Sequence, residues 1–204
     1  VLLADDHTLV REGLKQLLGA AEGVEVAGEA ADGDQALALV RANDYDLAVL
    51  DLSMPGLSGV ALVKRVKQEK PRLKVLVLSM HGERQYAARA LKAGASGYLT
   101  KDSAAAQLVG AIRKIAAGGV QISEAAAAQL IAGANTDADP HAALSDREFE
   151  VFRMLVAGQG LSEIAAQLHL SVKTVSTHKT RILQKMGMDS TAELVRYAVE
   201  RKLS

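Results

Sequence analysis

The sequence predicts a doubly wound α/β domain built on a five-stranded parallel sheet, followed by a small all-α domain. Three observations carry this. The run Leu47–Leu50 is short, apolar and ended abruptly by Asp51, as in a strand buried on both faces of a parallel sheet. Strand-like and helix-like stretches alternate five times up to Ala117. Beyond Leu144 strand signals cease and only helical spacings remain.

The elements follow in order. Val1–Ala4 reads as a strand ending at Asp5-Asp6, and Thr8–Leu18 as a helix with apolar residues at 9, 10, 14, 17 and 18. Val24–Ala30 is a second strand and Gly33–Ala42 a helix. The third strand stops at Asp51, where Met54-Pro55-Gly56 signals a loop and Ser58 can cap a helix to Glu69. Leu73–Ser79 is a strand, Arg84–Ala93 a helix stopped by Gly94, and Gly97–Thr100 a short strand before Lys101. Ser103–Ala117 is a helix ended by Gly118-Gly119. Right-handed crossovers put helices on both faces and gather all strand ends on one edge.

Residues 118–143 read as a connector. Gly119–Ala143 holds no lysine or arginine, Ser123–Ala132 looks like an alanine-rich helix, and 133–140 has loop composition. In the last part Ser145 and Glu148 form a capping-box pattern for a first helix that Gly158 ends. A second helix starts at Leu161-Ser162, a third spans Val172–Met186 before Gly187, and a fourth spans Thr191–Lys202.

Composition narrows the function classes. Lysine plus arginine and aspartate plus glutamate each total 24, so net charge is zero and the distribution matters more. There is no cysteine, which excludes a disulfide scaffold and thiolate metal sites and suits a cytoplasmic protein. The run Val1–Ala4 is too short for a signal peptide, and no apolar run approaches the ~20 residues of a membrane span.

Asp5, Asp6, Asp51, Ser79 and Lys101 all fall at carboxyl ends of predicted strands, the edge where open α/β sheets bind ligands. Singly each has an ordinary use: a helix cap, a strand end, a solvated lysine. Together they are a pocket. Three clustered carboxylates call for a divalent cation or partial protonation, and oxygen-only ligands suit Mg²⁺. A lysine and a hydroxyl beside them make an electrophilic cradle for a phosphoryl group. In the second domain, the third helix carries Lys173, Lys179, Arg181 and Lys185 with no acid, a formal +4. Between them sit Thr174, Ser176, Thr177 and Thr180. Cations for phosphates and small hydrogen-bonding groups for base edges are what a major-groove helix needs.

The ordered set of Asp5-Asp6, LDLSMPGLSG, VLVLSMH and GASGYLTKD resembles the receiver domain of two-component response regulators, a flavodoxin-like fold, over residues 1–117. LSDREFEVFRML and LSEIAAQLHLSVKTVSTHKTRILQKMG resemble the LuxR-type helix-turn-helix domain over 144–204. With both, the chain is similar to the NarL/FixJ class of response regulators. The resemblance implies a DNA-binding transcription regulator in which a sensor histidine kinase phosphorylates Asp51. It implies Mg²⁺ held by Asp6, Asp51 and the Ser53 main-chain carbonyl, with Asp5 acting through water. Lys101 would pair with phosphoryl oxygens, and Ser79 and Tyr98 would form the hydroxyl-plus-aromatic switch. Val175 and Ile182 would pack inward, Ser176, Thr177 and Thr180 would face bases, and Lys173, Thr174 and Lys179 would meet phosphates. His178 fits either a DNA-backbone contact or packing against the domain. His81 fits water control near the phosphoryl group or an ordinary loop role. His7, His141 and His169 read as surface residues. Many receivers have proline after the lysine; here Asp102 follows, which leaves the geometry of the Lys101–Asp102 bond open.

The resemblance further implies a homodimer when phosphorylated, meeting paired half-sites on double-stranded DNA. It implies no enzyme activity beyond uptake and slow hydrolysis of the protein's own aspartyl phosphate. Two other readings stay open. One is a regulator whose receiver is a phosphorylation-independent binding module. The other is an aspartyl-phosphate phosphatase, against which Ser53 stands where those enzymes carry a second acid.

Overall fold

The structure, a computed structural model, describes all residues except 55, 58, 81–82, 124–126, 128–139 and 202–204. Ser58, His81, most of the helix expected over Ser123–Ala132, the loop after it and Lys202 therefore lie outside the described residues. The chain forms two compact units, Val1–Ala132 and Gly133–Ser204.

The first unit is a five-stranded, wholly parallel sheet of order β2-β1-β3-β4-β5. Its strands are β1 (Leu2–Ala4), β2 (Gly28–Ala30), β3 (Leu47–Asp51), β4 (Lys74–Ser79) and β5 (Gly97–Thr100). Between and after them run α1 (Thr8–Gly19), α2 (Gly33–Ala42), α3 (Gly59–Glu69), α4 (Glu83–Lys92) and α5 (Lys101–Ala116). Strand residues alternate between faces. Leu3, Val49, Leu76, Leu78 and Leu99 pack with Leu14 and Leu18 of α1 and Leu108, Ile112 and Ile115 of α5. The alternate residues Leu2, Leu50, Val75, Val77 and Tyr98 are buried too, so neither face of the sheet is left to solvent.

Several element ends shift by a residue or two from expectation, and two differences have a clear physical reason. β2 ladders only over Gly28–Ala30 rather than from Val24. As an outer strand it has one neighbour, and Val24 and Val26 pack on the core without joining the ladder. α5 starts at Lys101, two residues before Ser103. No peptide bond among the described residues is cis, so Lys101–Asp102 is trans and, without proline, the helix runs directly out of β5. Past α5, Gln121 pairs with Gly97 as an isolated parallel bridge. The Tyr98 N–H donates to the Gln121 carbonyl at 2.8 Å and the Gln121 N–H to the Ser96 carbonyl at 3.1 Å.

The second unit holds α6 (Asp146–Val156), α7 (Leu161–Gln167), α8 (Val172–Met186) and α9 (Thr191–Glu200), after a 3-10 turn at Pro140–Ala143. Ser145 and Glu148 form the full capping box on α6, and Gly187 ends α8 in the left-handed conformation. Phe149, Phe152, Ile164, Val175, Ile182 and Leu194 are fully buried between the helices. His141 is half-buried and engaged, where an ordinary surface residue was expected. Its Nδ1 lies 2.7 Å from the Tyr197 hydroxyl, and its ring tilts against Phe149 and Tyr197. Among the described residues no helix is long and apolar enough to cross a membrane.

Candidate functional site

Strand register assembles the pocket. Ala4 pairs with Leu50, so Asp5 and Asp51 leave the sheet side by side. Ser79 pairs with Thr100, which sets Ser79 at the same edge as Lys101. Asp5, Asp51 and Ser79 are fully buried. The Lys101 side chain is 6% exposed, and its Nζ lies 2.7 Å from Asp5 Oδ2 and 2.7 Å from Asp51 Oδ2. The other oxygens are held by main chain. Ser53 N–H donates to Asp51 Oδ1 at 3.0 Å and His7 N–H to Asp5 Oδ1 at 2.9 Å.

Burial pushes the Asp51 carboxyl up; Lys101 and the Ser53 N–H oppose that shift without cancelling it. Burial pulls the Lys101 ammonium down, but its hydrogen bonds to Asp5 and Asp51 outweigh this and hold it above its ordinary value. The pocket thus keeps a charged lysine against a carboxylate that is costly to ionise.

Asp5, Asp6, His7 and Asp51 bring ligand-type atoms within 4.8 Å of one another. A hard divalent cation fits these residues. Three carboxylates face one ammonium, which leaves two negative charges. Asp5 Oδ2 and Asp6 Oδ1 are both shielded from solvent and without a well-formed hydrogen bond, the first held by its ion contact with Lys101 and the second by the His7 ring. His7 was expected at the surface; its ring is exposed, but Nδ1 lies 2.9 Å from Asp6 Oδ1. Tyr98 is fully buried on β5.

On the second unit, α7, the turn at Leu168–Ser171 and α8 make the helix-turn-helix. Val175, Ile182 and Met186 are buried; Lys173, Ser176, Thr177, Thr180, Arg181 and Gln184 are exposed. Thr174 and Lys179 are half-buried. Thr174 is engaged at the helix start: its N–H donates to Ser171 Oγ at 3.0 Å and its hydroxyl lies 2.8 Å from it. Lys185 is exposed as well, but its charge is taken up: its Nζ is bonded to the buried Glu148 at 2.6 Å. His178 is half-buried with Nδ1 shielded and without a hydrogen bond. Burial lowers its pKa, aided by Arg147 and Arg181, so a neutral ring packing on the domain fits better than a phosphate contact. Sequence reasoning counted Arg181 among the cations of this helix without giving it a contact, and passed over Gln184 as an outward residue. The spacing 173, 177, 181 and 177, 180, 184 on one helix face was the available signal.

Fold and pocket define a two-part signalling regulator, with an acidic sheet-edge pocket in one unit and a helix-turn-helix in the other. Residues 1–113 match the response regulator receiver domain, and residues 142–198 match the bacterial regulatory proteins of the luxR family. The chain is 37% identical over its whole length to the oxygen regulatory protein NreC of Staphylococcus carnosus, covering 98% of it. It is 36% identical, again over its whole length, to the response regulator UvrY of Escherichia coli, covering 94% of that protein. Among solved structures, it is similar to the RcsB response regulator of Salmonella typhimurium, with TM-score 0.71 and 29% identity, over 98% of this chain and 96% of that one. A structure of an RcsB–DNA complex also matches, with TM-score 0.60 and 29% identity over 97% of this chain and 96% of that one. The chain belongs to the two-component response regulators of the NarL/FixJ class, with a LuxR-type DNA-binding domain.

Proposed function

We propose that this protein is a cytoplasmic transcription regulator switched by phosphorylation of Asp51 by a sensor histidine kinase. The boundaries are 1–117 for the receiver, 118–143 for the linker and 144–204 for the DNA-binding domain. The observation that carries the reading is Lys101 Nζ at 2.7 Å from both Asp5 and Asp51, all three side chains buried at the sheet's carboxyl edge. An Asp51 carboxylate oxygen bonds to phosphorus as the bond from phosphorus to the donor's nitrogen breaks. Lys101 then pairs with the phosphoryl oxygens in place of the Asp51 carboxylate. Asp6, Asp51 and the Ser53 carbonyl would hold Mg²⁺, with Asp5 contributing through water; when bound, the ion would neutralise charge on the phosphoryl oxygens.

The new charge and acceptors at the edge draw the Ser79 hydroxyl toward the phosphoryl group and favour the buried Tyr98. This biases the receiver toward dimerisation and DNA binding. Ser176, Thr177 and Thr180 meet bases in the major groove, and Lys173 and Lys179 meet phosphates, each protomer taking one half-site. Thr174, tied into the helix cap, contributes through its position near the backbone. The protein's own turnover is limited to slow loss of its aspartyl phosphate.

A small phosphodonor with Mg²⁺, followed by intact mass, tests this. One phosphoryl group is expected on the parent and none on Asp51→Asn. Asp6→Ala should lose both Mg²⁺ binding and uptake. Uptake by Asp51→Asn would refute the assignment, and turnover of donor in large excess over protein would favour the phosphatase reading.

A further inference from the structure

The hydroxyl groups along α8 are unequally free. Ser171 Oγ accepts from the Thr174 N–H and lies 2.8 Å from the Thr174 hydroxyl. The Thr177 hydroxyl donates to the Lys173 carbonyl at 2.9 Å, and the Thr180 hydroxyl donates to the Ser176 carbonyl at 3.1 Å. A hydroxyl has one hydrogen to give, and these two are spent on the helix's own backbone. Such back-bonding is one of the two favoured threonine rotamers in a helix. Both residues are exposed. What each can still present outward is a methyl group and an acceptor oxygen, with no hydrogen left to donate. Ser176 differs: it is exposed, and among the described residues its hydroxyl makes no hydrogen bond.

We infer that Thr177 and Thr180 read DNA through their methyl groups, selecting thymine by its C5-methyl, while Ser176 is the hydroxyl that hydrogen-bonds a base edge. The inference rests on the proposed major-groove placement of α8. The thymine methyl is the one apolar feature of the major-groove edge, and a threonine methyl is a suitable partner. Residues three apart share a helix face. They are separated by about 4.5 Å along the axis, against about 3.4 Å per base step, so the two methyls meet neighbouring base pairs.

The test uses the full chain and a duplex selected by it from random sequence. Each thymine is replaced singly by deoxyuridine, which removes the methyl and leaves every hydrogen-bonding group. Affinity should fall about three- to tenfold at two neighbouring base pairs. That loss should persist in Thr177→Val and Thr180→Val and vanish, position by position, in Thr177→Ser and Thr180→Ser. Circular dichroism of each variant confirms the fold. Sequence-selective binding indifferent to every deoxyuridine overturns the inference and leaves the DNA-binding reading standing. Retained preference in the serine variants with loss in the valine variants overturns it as well, because the hydroxyls would then be the readers. Equal binding of selected and scrambled duplexes overturns both the inference and the reading beneath it.

Discussion

Replacing Lys101 by methionine keeps the length of the side chain and removes its charge. Asp5 and Asp51 then lie together, fully buried, without the ammonium that sits 2.7 Å from each. At 2.7 Å and an effective dielectric of about 20, each attraction is worth roughly 6 kcal/mol before desolvation is subtracted. Net losses from removing one partner of a buried pair run to about 3–5 kcal/mol. Proton uptake caps the cost: protonating a carboxyl with an ordinary value of 3.8 at pH 7 takes about three pH units, or roughly 4 kcal/mol. The two routes agree, so Lys101→Met should destabilise the first unit by about 4 kcal/mol in chelator. Asp51→Asn should stay within about 1 kcal/mol of the parent or exceed it, since it removes one of three crowded carboxylates. Three of the four tyrosines, Tyr45, Tyr86 and Tyr98, lie in the first unit and there is no tryptophan. Tyrosine fluorescence during urea denaturation therefore follows that unit. Added Mg²⁺ should restore part of the loss in Lys101→Met by binding the folded form. A cost under about 1 kcal/mol for Lys101→Met, or an equal cost for Asp51→Asn, would refute the charge argument.

Other outcomes are expected. A Cβ at Gly97 would meet Ile115 Cδ1 at 2.8 Å and the Gln121 carbonyl at 2.9 Å; Gly97→Ala should cost about 1–3 kcal/mol and speed hydrogen exchange of the Tyr98 amide, and unchanged protection would count against it. Lys173→Ala should lower the salt slope of DNA binding by about one unit, whereas Lys185→Ala should leave the slope nearly unchanged because Lys185 already neutralises Glu148; equal slopes for the two variants would contradict the assignment. The Glu148 carboxyl resists burial and is held below its ordinary value of 4.5 by Lys185 and the Ser145 N–H. Its contribution is therefore complete above that value and fades as pH falls through the lowered one. Lys185 is partly exposed, so Glu148→Gln should cost only about 0.5–1 kcal/mol at pH 7, with the gap closing in acid; a gap in thermal unfolding that stays constant to about pH 3 would exclude this pair as its cause.

The parallel strands were legible because burial on both faces makes them apolar runs. The exception shows the rule's limit: Val24 and Val26 are apolar because they pack on the core, yet only Gly28–Ala30 joins the ladder. Local chemistry also announced helix ends, as with Ser145 and Glu148 on α6 and Gly187 after α8. Long-range pairing was not legible. Nothing near Lys185 in the chain reveals that Glu148, on another helix, takes its charge. Likewise Asp5-Asp6 reads as two equal acids. The parallel register that sets Asp5 beside Asp51 is what gives Lys101 to Asp5 and leaves Asp6 partly exposed.

Zero net charge hides two sites of opposite kind, and burial decides how each behaves. At the sheet edge the charges are desolvated, so an excess of two carboxylates must be met by a cation, a proton or a rearranged lysine. At that burial they interact with little screening by salt. On α8, Lys173 and Arg181 are exposed, and Lys179 is partly so. Charges in that setting cost little to keep, are screened within about 10 Å, and gain by exchanging counterions for phosphates. A tightly coupled switch needs the first arrangement, because one added phosphoryl group must outweigh other local interactions. A reversible grip on DNA needs the second, because contacts must form and break without leaving a buried charge unpaired. The pairing of Lys185 with Glu148 sits between the two: the acid is buried while the lysine stays largely in solvent, so the cation is taken up locally at modest gain in stability and is not free as Lys173 and Arg181 are for the proposed phosphate contacts.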